Sequence, residues 1–495
     1  MASKDLCVNE VHAPNFHSNG SVINGHTTKD QSRDARVHSC PVSGPEGIVT
    51  ILLRHKGQFF KALLEPDAVD DSSLDEAKSL TVESLVRVTG SFANGTGLTN
   101  TTNDDIAVSV VTCHVKKLAV LSQAKPGPLH NLSLHGAPNE AVPPSHSRGA
   151  LFEKRLDNRL LDARVASTAA IFKLFSGVHE LAVDFLRKRD FYHVPTPALV
   201  NYEFPGEEDD LFSVPYFDRT ARLAPTGEIH LGMALSADLE RVYDCHTVFR
   251  REPASDGRHL TEFTMLEMVF NLKNDWTEIL DLADNLLVSI IQSLQQLEKY
   301  ITLTNTAHRL YPGAGTFQLG LDQNGKLFRV TFKEAKAILR NSLGLKSNDQ
   351  DDFTREEEAA LGRFLASSDT HLGKPTDVFI LTHFPRHLRA CNIYIAEEDE
   401  TTTQSFDVIL RGQECITGCR LLHSYQELHK AFTTRSHPID PDSPEWRPYM
   451  EAHEIGMPPW GGFGLGINRL VQGFWGLTDI RETVLFPRDA ARLIP

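Results

Sequence analysis

No apolar run in this 495-residue chain approaches the ~18–20 residues that a membrane-spanning helix needs. Cysteine is scarce and unpaired in pattern. The chain has seven, an odd number without a CxxC, which argues against both a disulfide framework and a structural zinc site. Dense Lys/Arg runs are missing too. With 50 basic against 65 acidic residues the net charge is −15, so composition lends nothing to non-specific nucleic-acid binding, which draws on basic stripes. The N-terminus (MASKDLCVNEVHAPNF) is polar and carries acids early, unlike a secretory signal or an Arg-rich transit peptide. A cytoplasmic protein without membrane contact is expected. What remains is ordinary for a packed protein, with 41% hydrophobic and 23% charged residues. The length suits one large enzyme core with a smaller module.

Residues 1–46 mix Ser, Asn, His and Asp with Pro and Gly without periodicity and read as a disordered tail. From Gly47 the β-branched runs IVTILLRH, FFKALLEP, ESLVRVTGSF and AVSVVTCHVKKLAVLS predict a small antiparallel β-domain over 47–125. A Pro/Gly/His/Asn linker covers 126–150. The remainder, 151–495, reads as one large α+β domain. Apolar spacing predicts long helices over 165–188 and 276–299. The strand-like runs LFSVPYF, VYDCHTVFRRE, TEFTMLEMVF, SFDVILRG and ETVLFPR follow one another without regular helical crossovers, which favours an antiparallel sheet.

Three segments hold residue types suited to a nucleoside triphosphate. In FRREPASDGRHLTEF, strand alternation would place Arg250 and Glu252 on one face. A guanidinium there can grip a phosphate bidentately, and Phe263 offers a flat face to a purine. In GGFGLGINRL, glycines permit close backbone approach, and Arg469 opens a helix whose positive end suits a polyphosphate. In SFDVILRGQE, Asp407 and Glu414 lie near one another on a strand and bend, as carboxylates that hold Mg²⁺ do. Singly, each also fits a plain structural role: a hairpin with surface ion pairs, close packing, or solvated strand acids. The stretch Pro225–Gly232 resembles the PTGxxHIG turn of class I aminoacyl-tRNA synthetases. It lacks a KMSKS-like loop and an alternating βα setting, so His230 reads as an ordinary helix or loop residue.

Together the three segments resemble the class II aminoacyl-tRNA synthetases of the aspartyl/asparaginyl/lysyl subgroup, nearest to the eukaryotic cytosolic aspartyl enzymes. The ordered matches are LDNRLLDAR (156–164), VPTPAL near Pro197, FRREPASDGRHLTEF, FDVILRGQE, GFGLGINRL and IRETVLFPRDAARLIP. The resemblance implies a six-stranded antiparallel catalytic sheet with flanking helices, an N-terminal anticodon-binding OB-fold, and a homodimer formed through motif 1. It implies ATP and Mg²⁺ as cofactors. Arg250 would hold the α-phosphate and the amino-acid carboxylate, within a catalytic set of Arg250, Glu252 and Arg469. Arg258 and Arg469 would hold the outer phosphates with His259 nearby. Leu260 belongs to the same ATP segment, and Phe263 would stack on adenine against Arg469. Asp407 and Glu414 would bind Mg²⁺. The amino-acid pocket would draw on Glu207, Thr226, Glu228, Leu231, Arg411, Thr417 and Leu421.

That pocket departs from the aspartyl pattern. Leu421 stands where aspartyl enzymes place an Arg, and Leu231 where they place a Lys. At ~1.5–3 kcal/mol per charge-assisted hydrogen bond, losing both would cost aspartate roughly 3–6 kcal/mol. Arg420 is adjacent, but alternation points it away. The loop Pro205–Asp210 is unusually acidic, and Thr226-Gly227-Glu228 resembles a TxE element that binds a substrate ammonium in other class II enzymes. In the β-domain, Thr50 and Lys61 replace the Phe and Gln that read anticodon bases. Base–aromatic stacking is worth ~1–3 kcal/mol per base. The expected activity is therefore ATP-dependent activation of a neutral or amine-bearing amino acid or related carboxylic acid. Transfer would follow to tRNA or to a small-molecule acceptor. The competing reading is a non-catalytic binding or regulatory protein on a synthetase scaffold.

Overall fold

The computed structural model describes residues 30–55, 58–93, 111–125, 149–202, 211–253, 256–308, 310–367 and 373–495. The chain divides into two compact units, 1–137 and 138–495.

In the first unit, strands Gln31–Val37, Val49–His55, Gln58–Leu64, Leu85–Ala93 and Val111–Ser122 form one sheet that closes on itself. Closure comes from Gln31–Val37, which pairs antiparallel with both Leu85–Ala93 and Val49–His55. Gln58–Leu64 pairs in parallel with Val111–Ser122. That is the order of an OB-like barrel. Alternation builds its core: Val49, Ile51 and Leu53 face Phe60, Ala62 and Leu64 inside. Thr50 and Lys61 fall on the other parity, facing outward. Helix Asp71–Lys78 is capped by the Asp70 carboxylate, which accepts from Ser73 N at 2.7 Å.

The barrel starts upstream of the boundary expected at Gly47. Its first strand, QSRDARV, buries only Ala35 and Val37 fully, and Arg33, on their parity, lies over the Phe92 ring at 3.9 Å, so it shows too little hydrophobicity to read as a strand. The tail expected over 1–46 thus contributes a barrel strand, and 1–29 lie outside the described residues. Most of the 126–150 linker lies outside them too.

In the second unit an eight-stranded sheet runs in the order Phe328–Thr331, Val378–Thr382, Ser405–Leu410, Gln413–Leu421, Trp460–Gly466, Glu262–Asn271, Arg241–Phe249, Tyr192–His193. The two outermost pairings are parallel. The six strands between them are antiparallel throughout. One face packs on helices Ala166–Arg187, Thr277–Gln296 and Ile467–Trp475, through a core that includes Leu174, Ile290, Leu465 and Trp475. The helix expected over 276–299 ends at Gln296, and Glu298–His308 is a separate helix. The ETVLFPR run is not a strand: Ile480–Thr483 forms a 3₁₀ turn.

Candidate active site

Strand register dictates which side chains share the other face. Asp407 lies opposite Thr417, Thr417 opposite Gly464, Gly464 opposite Glu267, and Glu267 opposite Asp244. Five strands therefore contribute one row across the sheet. Gly464 leaves the middle of that row without a side chain, and polar groups stand on both flanks. Phe263 shares the parity of Glu267, and Arg250, just past the end of its strand, continues that of Asp244. Burying so many polar groups on one face is costly unless they are paired.

At one end, cations and carboxylates converge. Arg250 lies over the Phe263 ring at 5.8 Å. Arg469, on the first turn of helix Ile467–Trp475, donates to the Glu414 carbonyl at 3.1 Å and lies 3.7 Å from its carboxylate. The Thr417 hydroxyl donates to Glu414 at 2.7 Å. Burial opposes ionisation of Glu414. Arg469, the Thr417 hydroxyl, Arg389 and Arg250 together still hold its carboxyl below the usual range. Asp407 behaves oppositely. Burial raises it to about 7, Arg389 opposes the rise, and the Glu414 charge adds to it. Arg389 donates to Asp407 Oδ2 at 2.7 Å, while Oδ1 is buried without a partner among the described residues.

The loop before the Glu262–Asn271 strand is pinned from several sides. Gly257 O accepts from Ile480 N at 2.8 Å and from Gln472 at 3.3 Å. Asp256 accepts from Arg258 N at 2.8 Å and contacts His259 Nδ1 at 3.1 Å. Arg258 is ion-paired with Glu358 at 2.6 Å, Leu260 is buried, and Thr261 N donates to Arg488 O. Asn468 accepts from Thr264 N at 3.0 Å and donates to Thr483, tying helix to strand.

At the other end, Glu267 organises the Thr226-Gly227-Glu228 turn. Its carboxylate accepts from the Thr226 hydroxyl and from Gly227 N at 2.6 Å, and meets His246 Nε2 at 2.6 Å. The Thr226 hydroxyl in turn accepts from Glu228 N, the first residue of helix Glu228–Leu235. On the far side, Thr196 links His246 Nδ1 to Asp244. Only glycine fits at 227, because a Cβ there would lie 2.7 Å from Thr196 Oγ1. His230 is an ordinary residue of this helix, contacting the Tyr202 hydroxyl at 3.2 Å. Leu231 and Leu421 are 0% and 1% exposed and belong to one apolar cluster with Trp460.

Several expected residues are thus brought to one face: Arg250, Phe263, Asp407, Glu414, Thr417 and Arg469 at one end, Thr226, Glu228, Leu231 and Leu421 at the other. Others fall elsewhere. Arg411 does not enter the pocket. It sits with Gly412 at the turn between Ser405–Leu410 and Gln413–Leu421, at φ 48°. That turn carries its side chain to Thr316, Gly313 O and Asp377. Glu252 lies beyond the last ladder bond, Arg250 N to Thr261 O, so strand alternation carries to Arg250 but no longer places Glu252. Glu207 lies outside the described residues. Arg420 stacks on Tyr394 at 3.8 Å and donates to Gln404 at 3.2 Å, pointed away as expected. Arg389, Glu358, His246 and Glu267 were missed. Glu267 was within reach, since period-2 alternation from Phe263 lands on it; Arg389 carries no local signal.

A six-stranded antiparallel sheet with an arginine, a motif-bearing hairpin and a glycine-rich strand entering a helix defines a class II synthetase catalytic unit. Residues 152–490, more than half of the chain, match the family described as tRNA synthetases class II (D, K and N), and the chain belongs to it. It is similar to the cytoplasmic aspartate–tRNA ligase of Homo sapiens, 29% identical over 464 residues, covering 93% of this chain and 87% of that one. Among solved structures it is similar to an aspartyl-tRNA synthetase from Entamoeba histolytica, with TM-score 0.77, 26% identity and coverage of 94% and 90%. It is also similar to the asparaginyl-tRNA synthetase of Pyrococcus horikoshii complexed with asparaginyl-adenylate, with TM-score 0.76, 25% identity and coverage of 94% and 96%. The protein is an ATP-dependent ligase of the aspartyl/asparaginyl-tRNA synthetase type. Among the described residues, no helix is long and apolar enough to cross a membrane.

Proposed function

We propose that this enzyme condenses ATP with an amino acid other than aspartate to give an aminoacyl-adenylate and pyrophosphate. The acyl group then passes to a tRNA or to a small-molecule acceptor. The observation that carries the reading is the burial of Leu231 and Leu421 in one apolar cluster, beside a phosphate end that keeps Arg250, Phe263, Glu414 and Arg469 together. In this reading a carboxylate oxygen of the amino acid attacks the α-phosphorus, and the bond to the β-bridging oxygen breaks. Arg250 offsets charge at the α-phosphate, and Arg469 and Arg258 receive the outer phosphates once Arg258 leaves Glu358. Phe263 carries the adenine. Glu228, held by the Glu267 network, binds the substrate ammonium. Such catalysis rests on positioning and charge stabilisation.

The residues present fit a Mg²⁺ ion. Asp407 Oδ1 is a buried acceptor without a partner among the described residues, facing the negative charge of Glu414. Among the described residues no group of three His, Cys, Asp or Glu is arranged to hold a metal, so Glu414 and Asp407 would share the ion with phosphate oxygens. The ion supplies neutralisation of the departing pyrophosphate. A homodimer is supported by exposed Tyr192 and Leu199, which flank the VPTPAL match near Pro197, and a cytoplasmic location by relatives named cytoplasmic. ATP–pyrophosphate exchange across a panel of amino acids tests the proposal. Exchange should depend on an added amino acid and be weak with aspartate. Efficient exchange with micromolar aspartate would overturn the substrate reading.

A further inference from the structure

Beside Leu231 and Leu421, the pocket carries polar groups that the fold leaves unmatched. Asn392 lies in the segment that joins the end of the Gln413–Leu421 strand. Its carbonyl accepts from Leu422 N at 2.8 Å, and neighbouring Ile393 bridges Leu421. The residue is 1% exposed, and neither atom of its amide has a hydrogen-bond partner among the described residues. Tyr449, on helix Arg447–Glu454, is equally buried. Its hydroxyl lies near enough to Asn392 for the amide to act on it and feels the charge of Glu228, yet the two do not reach hydrogen-bonding geometry and the hydroxyl has no partner among the described residues. A buried polar atom left unmatched costs ~1–3 kcal/mol. Three such atoms in one place, next to the glutamate assigned to the substrate ammonium, mark a site whose partner arrives from outside the fold.

We infer that Asn392 and Tyr449 are specificity-determining residues, and that the amino acid they select ends in an uncharged group that both donates and accepts: a carboxamide or a hydroxyl. This rests on the functional reading above and sharpens it. A carboxylate is poorly matched here: Arg420 is engaged by Gln404 and the Tyr394 ring, Arg389 by Asp407, and both family cation positions are leucines. A hydrocarbon side chain would pack on Leu231, Leu421 and Trp460 but would leave the amide and the phenol unmatched. A group with both a donor and an acceptor answers Asn392 and Tyr449 at once. Sites built to hydrogen-bond a substrate group reject the analogue lacking it far more strongly than apolar pockets discriminate by size.

The test is pyrophosphate exchange by the full chain with matched pairs: asparagine against leucine, threonine against valine, and glutamine against methionine, with aspartate and lysine alongside. The best substrate should be the amide or hydroxyl member of a pair. Asn392→Leu should lower its kcat/KM about tenfold and Tyr449→Phe about fivefold, each collapsing the preference over the hydrocarbon partner. Both changes remove polar atoms without opening a cavity, and circular dichroism confirms folding. Should one variant fail to fold, the other decides. A best substrate that is charged or purely hydrocarbon overturns the assignment, as does a preference ratio unmoved in a folded variant, the result expected if buried water alone satisfies these groups. Absence of exchange with every amino acid overturns the functional reading together with this one, which separates the two failures.

Discussion

Glu267 sits at the crossing of the whole network, and its removal is the perturbation most readily worked through. The residue is 6% exposed, and its carboxylate accepts from Thr226, Gly227 N and His246. Truncation to alanine strands a buried backbone N–H and an imidazole, and removing one partner of a buried pair typically costs ~3–5 kcal/mol. Glu267→Gln keeps the shape and one acceptor and should cost about 1–3 kcal/mol. The pH dependence has a definite sign. Burial pushes His246 down, but the hydrogen bond and charge of Glu267 outweigh it, so its pKa in the fold is raised. A raised group stabilises fully below its unfolded pKa of ~6.5, and the contribution is lost as pH rises through the folded value. Urea unfolding followed by tryptophan fluorescence should therefore show wild-type stability declining above pH ~6.5, with the slope flattened in Glu267→Gln. An alanine variant within ~0.5 kcal/mol of wild type, or an unchanged pH slope in the glutamine variant, would refute the reasoning.

Arg250→Ala should reduce pyrophosphate exchange by ~10²–10³-fold, because no other guanidinium can take its place at the α-phosphate; near-normal exchange would move the phosphate site. Glu414→Ala should raise the Mg²⁺ concentration needed for half-maximal exchange, and an unchanged titration would place the ion elsewhere. Leu421→Arg combined with Leu231→Lys puts two cations into a fully buried apolar cluster. The ligand-free protein should lose several kcal/mol (about 3 or more), and differential scanning fluorimetry should show selective rescue by aspartate.

Much of this fold was legible because its signals are periodic. Helix Ala166–Arg187 was expected over 165–188, and the strands carrying Phe263, Asp407 and Glu414 were legible as short β-branched and apolar runs, Ser405–Leu410 being buried along its whole length. The first barrel strand escaped because only two of its residues are fully buried, and Arg33 on the inward parity breaks its apolar period. Arg411 was misplaced because proximity in sequence to Asp407 says nothing once a two-residue turn reverses the chain. Arg389 escaped for the converse reason: its partner Asp407 lies across a loop and a strand, and long-range ion pairs leave no mark on local pattern.

The sheet explains why one end of this site could be kept while the other changed. Phosphate-facing residues lie where the hairpin ends at Phe249 and Glu262 and where helix Ile467–Trp475 begins, each held by backbone contacts such as Thr261 N to Arg488 O and Thr264 N to Asn468. The side-chain pocket proposed above draws instead on Leu231, Leu421, Trp460, Asn392 and Tyr449, on a helix, two strand ends, a loop and a second helix. Substitutions there alter an apolar cluster on other elements than those that carry Arg250 and Arg469. Energetic effects at separated sites with no shared partners add nearly independently. Under the proposed function the Glu267 row lies between the two ends: it holds Gly227, whose carbonyl accepts from Leu231 N, and through Thr226 it fixes the start of the helix that carries Glu228.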